Sequence, residues 1–123
     1  MVGRVPLVGR WPWGAIVTGV LVAFFTFGGI GNIFVSPDIA EDYRRWGYPN
    51  GFHYLTGGIE LTTAGLLALR RTRLWGVMLG SGVMLAAAGT VTVHGEYSHA
   101  VAPLIVLTLL LLAGWLHRRA RSA

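Results

Sequence analysis

Long apolar runs separated by short polar connections dominate the sequence. Four such runs cover residues 13–35, 50–69, 74–93 and 100–116. At 1.5 Å per residue, a helix of about 20 residues spans the roughly 30 Å hydrocarbon core of a bilayer. The pattern therefore predicts an all-α chain, a four-helix up-down-up-down transmembrane bundle that forms a single integral membrane domain over residues 1–123.

The connection of residues 36–49 differs from the others because it is longer and rich in charged groups. Ser36 is a good N-cap, and Pro37 fits the first helical turn. Apolar and aromatic side chains, among them Tyr43 and Trp46, recur at helical spacing. We expect a short extracytoplasmic interfacial helix between the first and second spans. An extended loop is the alternative, because about ten residues are marginal for a helix without packing.

Composition supports a membrane class and excludes several functions. The chain is 54% hydrophobic and only 12% charged. A soluble globular protein of 123 residues with this composition would expose too much apolar surface to water. The chain has ten arginines, no lysine and five acidic residues. Because the arginines flank the apolar runs, membrane topology accounts for them, and no nucleic-acid partner is expected. Without cysteine, the chain alone cannot perform thiol redox chemistry.

The arginines also predict orientation. Eight of the ten lie in the amino-terminal tail with Arg4 and Arg10, in the turn of residues 70–73, and in the carboxyl-terminal tail. By the positive-inside rule, both termini of this multi-pass protein of the cell membrane should be cytoplasmic. Four tryptophans fall at the same predicted end: Trp11, Trp13, Trp75 and Trp115.

Glu60 stands near the middle of the second run and is the main chemical feature of the sequence. A charged group at that depth costs about 2.5 to 3.5 kcal/mol on insertion, so it should face other helices and find a partner or stay protonated. His53, Thr56 and Thr63 lie seven and four residues before it and three after it, on the same helical face.

Polar residues of the other runs should gather near Glu60 when the helices alternate in direction. The result would be a pocket that opens outward and binds a quinone, a terpenoid or a lipid. The predicted ligand-binding residues are Asn32, Trp46, His53, Thr56, Glu60, Thr63, Thr90 and His94. Glu60 could also act as a proton donor, with His94 or His53 as the base.

Several of these residues have simpler interpretations. Glu60 could be a protonated structural acid bonded to a neighbouring helix, and His53 could face lipid headgroups. His117 is expected to have only a topological role at the cytoplasmic interface. The H-x-E-x-x-H spacing of His94, Glu96 and His99 could ligate a metal ion. It lies in a polar turn without a supporting scaffold, however, so we favour exposed side chains with no metal over a metal site.

The chain resembles the DoxX-like family of small four-helix integral membrane proteins over residues 25–112. The resemblance rests on a glycine-containing end of the first helix, a proline-started fourth helix and three short motifs. These motifs are W-G-Y-P at 46–49, G-G-I-E-L at 57–61 and A-A-x-G-T-x-T-x-H at 86–94. Where the family usually has a lysine, opposite the acid of the second helix, this chain has Asn32.

The resemblance implies the four-helix fold and three kinds of activity. Relatives include a small subunit of a thiosulfate:quinone oxidoreductase, a membrane component of an oxidative-stress complex, and eukaryotic chaperones or cargo receptors. Our first hypothesis is an accessory membrane subunit with no intrinsic cofactor, binding a quinone or lipid and working with a redox partner protein or as a homo-oligomer. The alternatives are a small acid-base enzyme acting on a lipophilic substrate and a membrane-protein chaperone or scaffold.

Overall fold

The computed structural model of the protein describes residues 12–122, with only the backbone of the last one. The predicted amino-terminal tail and Trp11 lie outside the described residues. Within the described range the chain is helical and has no strand, which confirms the all-α prediction. The elements are α1 (Trp13–Ile33), α2 (Pro37–Arg45), α3 (Phe52–Ala68), α4 (Arg73–Val93), a 3₁₀ turn (Tyr97–Ala100) and α5 (Val101–Ser122).

Three helical segments are long and apolar enough to cross a membrane. They are α1, α4 and the continuous stretch Tyr97–Arg121 that contains most of α5. Within an apolar stretch of 18 residues in each segment, at most 33% is buried inside the protein, so most of this apolar surface faces outward. Apolar surface of this extent is stable in lipid and unfavourable in water. The fourth long helix, α3, has 17 residues.

Each long helix packs on two others. α1 contacts α3 and α5, and α4 contacts α3 and α5. The core between them is apolar, with Leu21, Phe25, Leu67 and Leu110 fully buried.

Glycines allow the closest approach between α1 and α3. A Cβ atom added to Gly57 would lie 2.8 Å from the carbonyl oxygen of Gly29 and 2.9 Å from Ile33. Only a residue without a side chain permits backbones to meet at this distance. This contact fixes α3 against the last turns of α1 and thereby brings Glu60 next to that helix.

α2 forms as the sequence predicts, and the alternative of an extended loop is wrong. The hydroxyl of Ser36 accepts a hydrogen bond from the backbone N–H of Ile39 at 3.3 Å, which caps the first turn. After the helix, Gly47 has a φ of 86°, a conformation that glycine adopts without strain. The chain then turns back and enters α3.

The predicted spans agree with the helices except at their ends. The largest difference is in α5, which continues beyond the predicted end at residue 116 to Ser122. Its arginines therefore lie on a helix instead of a tail, because arginine has a high helix propensity. Between α3 and α4, the guanidinium of Arg73 donates to the carbonyl oxygen of Leu67 at 2.8 Å and satisfies the last turn of α3.

Candidate functional site

A cavity of about 380 Å³ lies where α2 and the residues after it meet α3, α4 and the start of α5. Its surface is mainly apolar, and four aromatic side chains form much of it. We call it the aromatic cavity. Its lining residues are Asp42, Tyr43, Trp46, Tyr48, Phe52, Thr56, Ile59, Val83, Ala86, Ala87, Thr90, Val91, His99 and Pro103.

The aromatic side chains pack on one another. Tyr48 and Phe52 are stacked, with ring centroids 4.3 Å apart, and Tyr43 meets Trp46 edge-on at 5.8 Å. The hydroxyl of Tyr48 is hydrogen-bonded to that of Thr90 on α4 at 2.6 Å. Aromatic pairs of this kind are worth about 0.5 to 1.5 kcal/mol beyond their buried area, so they hold the wall of the cavity in one arrangement.

A hydrogen-bonded chain connects this wall to the buried acid. Glu60 is 5% exposed, and its Oε1 accepts from the amide nitrogen of Asn32 at 2.6 Å. The same nitrogen donates to the carbonyl oxygen of Gly28 at 3.0 Å, while the amide oxygen accepts from the hydroxyl of Tyr43 at 2.6 Å. Because the amide nitrogen faces two acceptors, its orientation is fixed, and Asn32 links Glu60 to Tyr43.

Glycine again makes the arrangement possible. A Cβ atom on Gly28 would lie 3.0 Å from Oε2 of Glu60, so the missing side chain leaves the space that the carboxyl group occupies. The neutral amide of Asn32 lies opposite the acid and hydrogen-bonds to it.

The two candidate histidines are in different surroundings. Nδ1 of His53 lies 2.6 Å from the backbone carbonyl oxygen of Asn32 and donates to it, so His53 contacts the same network. Nδ1 of His94 lies 2.8 Å from the carbonyl oxygen of Thr90 in its own helix, and the residue is exposed. The structure therefore brings His53, but not His94, to the Glu60 network.

Tyr43 belongs to both features, since it lines the cavity and bonds to Asn32. Burial raises the pKa of its phenol above the ordinary 10.0, and the nearby charge of Glu60 raises the pKa further, although the hydroxyl of Thr56 opposes these effects. The phenol therefore stays protonated at neutral pH. It acts as a stable hydrogen-bond donor at the edge of the cavity.

The eight residues predicted for the ligand site fall into two groups. Trp46, Thr56 and Thr90 line the aromatic cavity. The other five do not: Asn32, His53, Glu60, Thr63 and His94. Thr63 is fully buried in the core, where its hydroxyl donates to the carbonyl oxygen of Ile59 at 2.9 Å.

Sequence reasoning did not assign Tyr43, Tyr48 and Phe52 to the site. Their signal was the density of aromatic residues between α2 and α3, which also fits an interfacial belt. The turn before α5 holds no metal cluster: within residues 12–122, no group of three or more His, Asp or Glu side chains is placed to bind a metal ion.

Glu96 anchors the end of α2. Its two carboxylate oxygens accept from Nη2 of Arg45 at 2.9 Å and from Nε of Arg45 at 3.1 Å, and Trp46 donates to it at 3.1 Å. Chiefly because of the hydrogen bonds from Arg45, the pKa of Glu96 is lowered to about 2. This bidentate ion pair joins α2 to the turn that precedes α5 and so closes one side of the aromatic cavity.

Acidification should therefore release α2. Since the pKa of Glu96 falls on folding, the ion pair stabilises the docked helix fully above the ordinary pKa of 4.5, and this stabilisation is lost as the pH falls through about 2. Intrinsic amide exchange itself slows on acidification, so the quantity to follow is the protection factor of the α2 amides, corrected for the intrinsic rate, and it should fall over this range. Glu96→Gln should show fast exchange already at neutral pH, whereas Glu41→Gln, which removes only the exposed pair with Arg44, should not. Equal exchange in both variants would contradict this role of Glu96.

Comparison with known proteins places these features in a family. The family model described as the DoxX-like family matches residues 16–113. This range contains α2, α3 and α4 completely and includes all the residues that line the aromatic cavity. Searches of curated proteins and of solved structures found no match. The match covers most of the chain and confirms the resemblance seen in the sequence, so the protein belongs to the DoxX-like family.

Proposed function

We propose that α3 is a fourth membrane crossing, antiparallel to its neighbours, and that both termini are cytoplasmic. The contacts support this arrangement: Gly28 lies against Glu60 and Gly29 against Gly57, so positions later in α1 meet positions earlier in α3. With 17 residues, α3 is about 26 Å long, close to the hydrocarbon thickness of about 30 Å. Burial of Glu60 against α1 removes the main energetic obstacle to insertion.

We further propose that the aromatic cavity binds a lipophilic small molecule such as a quinone. The observation that carries this proposal is a cavity of about 380 Å³ with an aromatic wall and few polar groups. Binding sites for small molecules typically measure about 300 to 1,000 Å³ and have this composition. A quinone ring can stack on Tyr48 or Phe52, and hydroxyl or imidazole groups such as Thr90 and His99 can donate to its carbonyl oxygens.

Such a protein would act as an accessory subunit of a redox-linked membrane complex. A quinone accepts electrons, so the complex needs a donor. The chain has no cysteine that could cycle between thiol and disulfide. A partner protein that delivers electrons to the bound quinone is therefore the simplest arrangement, and the end of the protein that carries α2 is the place where it would reach the cavity.

Glu60 acts as a positioning residue in this proposal. It does not line the cavity, and its link to the cavity runs through the amide of Asn32 to the hydroxyl of Tyr43. The same link is the observation that favours the second candidate, an acid-base enzyme in which Tyr43 exchanges a proton with the substrate. Quinone binding ranks first because a neutral amide is a poor carrier of protons between the acid and the phenol.

Filling the cavity tests the binding proposal. Ala87→Phe places a ring inside the aromatic cavity, so the affinity for a short-chain ubiquinone should fall by at least about tenfold, or 1.4 kcal/mol. Binding would be measured by isothermal titration calorimetry on the purified protein in lipid nanodiscs, with empty nanodiscs as the blank.

Ala102→Phe is the matched control. Ala102 is exposed on α5 and does not line the cavity, so the same substitution should leave affinity unchanged. If wild-type protein bound ubiquinone no better than empty nanodiscs, or if both variants bound it equally, the cavity would not be a quinone site.

A further inference from the structure

A second hollow, of about 570 Å³, lies at the opposite end of the long helices, where α1 begins and α5 ends. We call it the basic hollow. A smaller hollow of about 340 Å³ adjoins it through shared Arg70 and His117. The residues that line the basic hollow are Gly14, Ala15, Thr18, Gly19, Val22, Ala68, Arg70, Arg73, Ala113, Leu116, His117 and Ala120.

His117 is the unusual residue of this region. The sequence predicts only a topological role, yet the residue is 7% exposed, and its Nε2 is buried with no hydrogen-bond partner among residues 12–122. A buried polar atom left unpaired is unfavourable by about 1 to 3 kcal/mol. Because His117 forms part of the walls of both hollows, a bound group with an oxygen acceptor could satisfy this nitrogen.

The charge of this region indicates that the oxygen acceptor belongs to an anion. All five acidic side chains lie between residues 38 and 96, and four of them are in α2 or the turn before α5. None of them lines either hollow, whereas Arg70, Arg71, Arg73 and Arg121 do. The basic hollow itself has two arginines, and Arg73 already uses its guanidinium on the backbone carbonyls of α3, so Arg70 is the one left for a ligand there. An anion would therefore be attracted here.

The shape of the basic hollow fits a ligand that is longer than a free anion. Along α1 the basic hollow reaches from Gly14 to Val22, about 12 Å at 1.5 Å per residue. Apart from Thr18, its wall on this helix is made of small or apolar side chains, and no atom of residues 12–122 lies within 4 Å of a Cβ atom added to Gly19. An elongated ligand with a charged head and an apolar chain fits such a surface.

We propose that the basic hollow is a binding site for an anionic phospholipid. The phosphate oxygens accept from Arg70 and from the unpaired Nε2 of His117, and the first part of an acyl chain lies along Gly19 and Val22 of α1. Arginine suits this role because its planar group donates two parallel hydrogen bonds to a phosphate. The site is independent of the quinone proposal, since it shares no residue with the aromatic cavity.

The first test is lipid titration of the purified protein in detergent, monitored by native mass spectrometry. Phosphatidylglycerol should bind at least about fivefold more tightly than phosphatidylcholine. Arg70→Gln should reduce the affinity for phosphatidylglycerol about fivefold, as expected for one arginine at a membrane surface. Arg119→Gln removes the same charge from a residue that packs on Trp115 and lines neither hollow, so it should change affinity less than twofold.

The second test uses His117→Leu. Without added lipid, this variant should melt no lower than the wild type, because leucine removes an unpaired polar atom. Its melting temperature should rise less than that of the wild type on addition of phosphatidylglycerol, and an equal rise would contradict a contact with His117. If His117→Leu does not fold, the comparison of Arg70→Gln with Arg119→Gln decides the question alone.

Three results would overturn the proposal. Equal binding of phosphatidylcholine would show that the negative headgroup is not recognised. Equal losses in Arg70→Gln and Arg119→Gln would show attraction to overall charge instead of a site. Binding of inorganic phosphate or glycerol phosphate as tight as that of the lipid would show that the hollow recognises a free anion, with no role for the apolar groove.

Discussion

Gly57→Ala is expected to destabilise the protein by about 2 kcal/mol, within the usual range for overpacking a close contact. The new Cβ atom would meet the carbonyl oxygen of Gly29 at 2.8 Å, and a backbone atom cannot rotate away as a side chain can. α1 and α3 would have to separate. The hydrogen bond between Asn32 and Glu60 spans the same two helices, so it should lengthen or break as well.

The adjacent residue provides the control. Gly58 is exposed, and in the part of the chain that the structure describes nothing lies within 4 Å of a Cβ atom placed there. Gly58→Ala should therefore be neutral or stabilising by up to about 1 kcal/mol, because alanine favours the helix. Unfolding of both variants in mixed micelles with increasing sodium dodecyl sulfate would measure the difference. Equal stability of the two would show that α1 and α3 do not pack through Gly57.

The elements of this fold were predictable because their signals are local. Apolar runs located the long helices, and the cap at Ser36 with the spacing of Tyr43 and Trp46 located α2. Local signals do not fix how far a helix is rotated about its axis or how closely it approaches a neighbour. Those depend on the contact between Gly29 and Gly57, which joins residues far apart in the sequence.

The candidate site was only partly predictable, because it too depends on contacts between residues far apart in the sequence. The cost of a carboxyl group in lipid predicted that Glu60 faces another helix, and it is buried against α1. The position of the cavity was not predictable from that residue. Close packing leaves little room beside Glu60, whereas the small side chains of Ala86 and Ala87 on α4 leave space opposite the aromatic wall.

Asn32→Leu should have the largest effect of any single change in the candidate site. It removes the only side-chain partner of Glu60 seen among the described residues and the acceptor of the Tyr43 hydroxyl. Each buried polar group left unpaired costs about 1 to 3 kcal/mol, so the loss of stability should be about 3 kcal/mol. Tyr43 would also lose its fixed orientation at the cavity, and affinity for ubiquinone should fall by about tenfold. Asn50→Leu, the same substitution at an exposed residue, should alter neither quantity by a comparable amount.

Glu60→Gln separates a positioning role from direct proton chemistry. Glutamine retains an oxygen that accepts from Asn32, so the link to Tyr43 and the quinone affinity should remain within about twofold of the wild type. Glutamine cannot give or take a proton, so it cannot replace a carboxyl group that does. If Glu60→Gln kept its stability but lost quinone binding, the acid itself would be required, and the role assigned to Asn32 as the link would be wrong. The side chains of Asn32, Glu60 and Tyr43 in this hydrogen-bonded chain join α1, α3 and α2. If Asn32→Leu were as stable as the wild type, the chain would therefore not support the bundle.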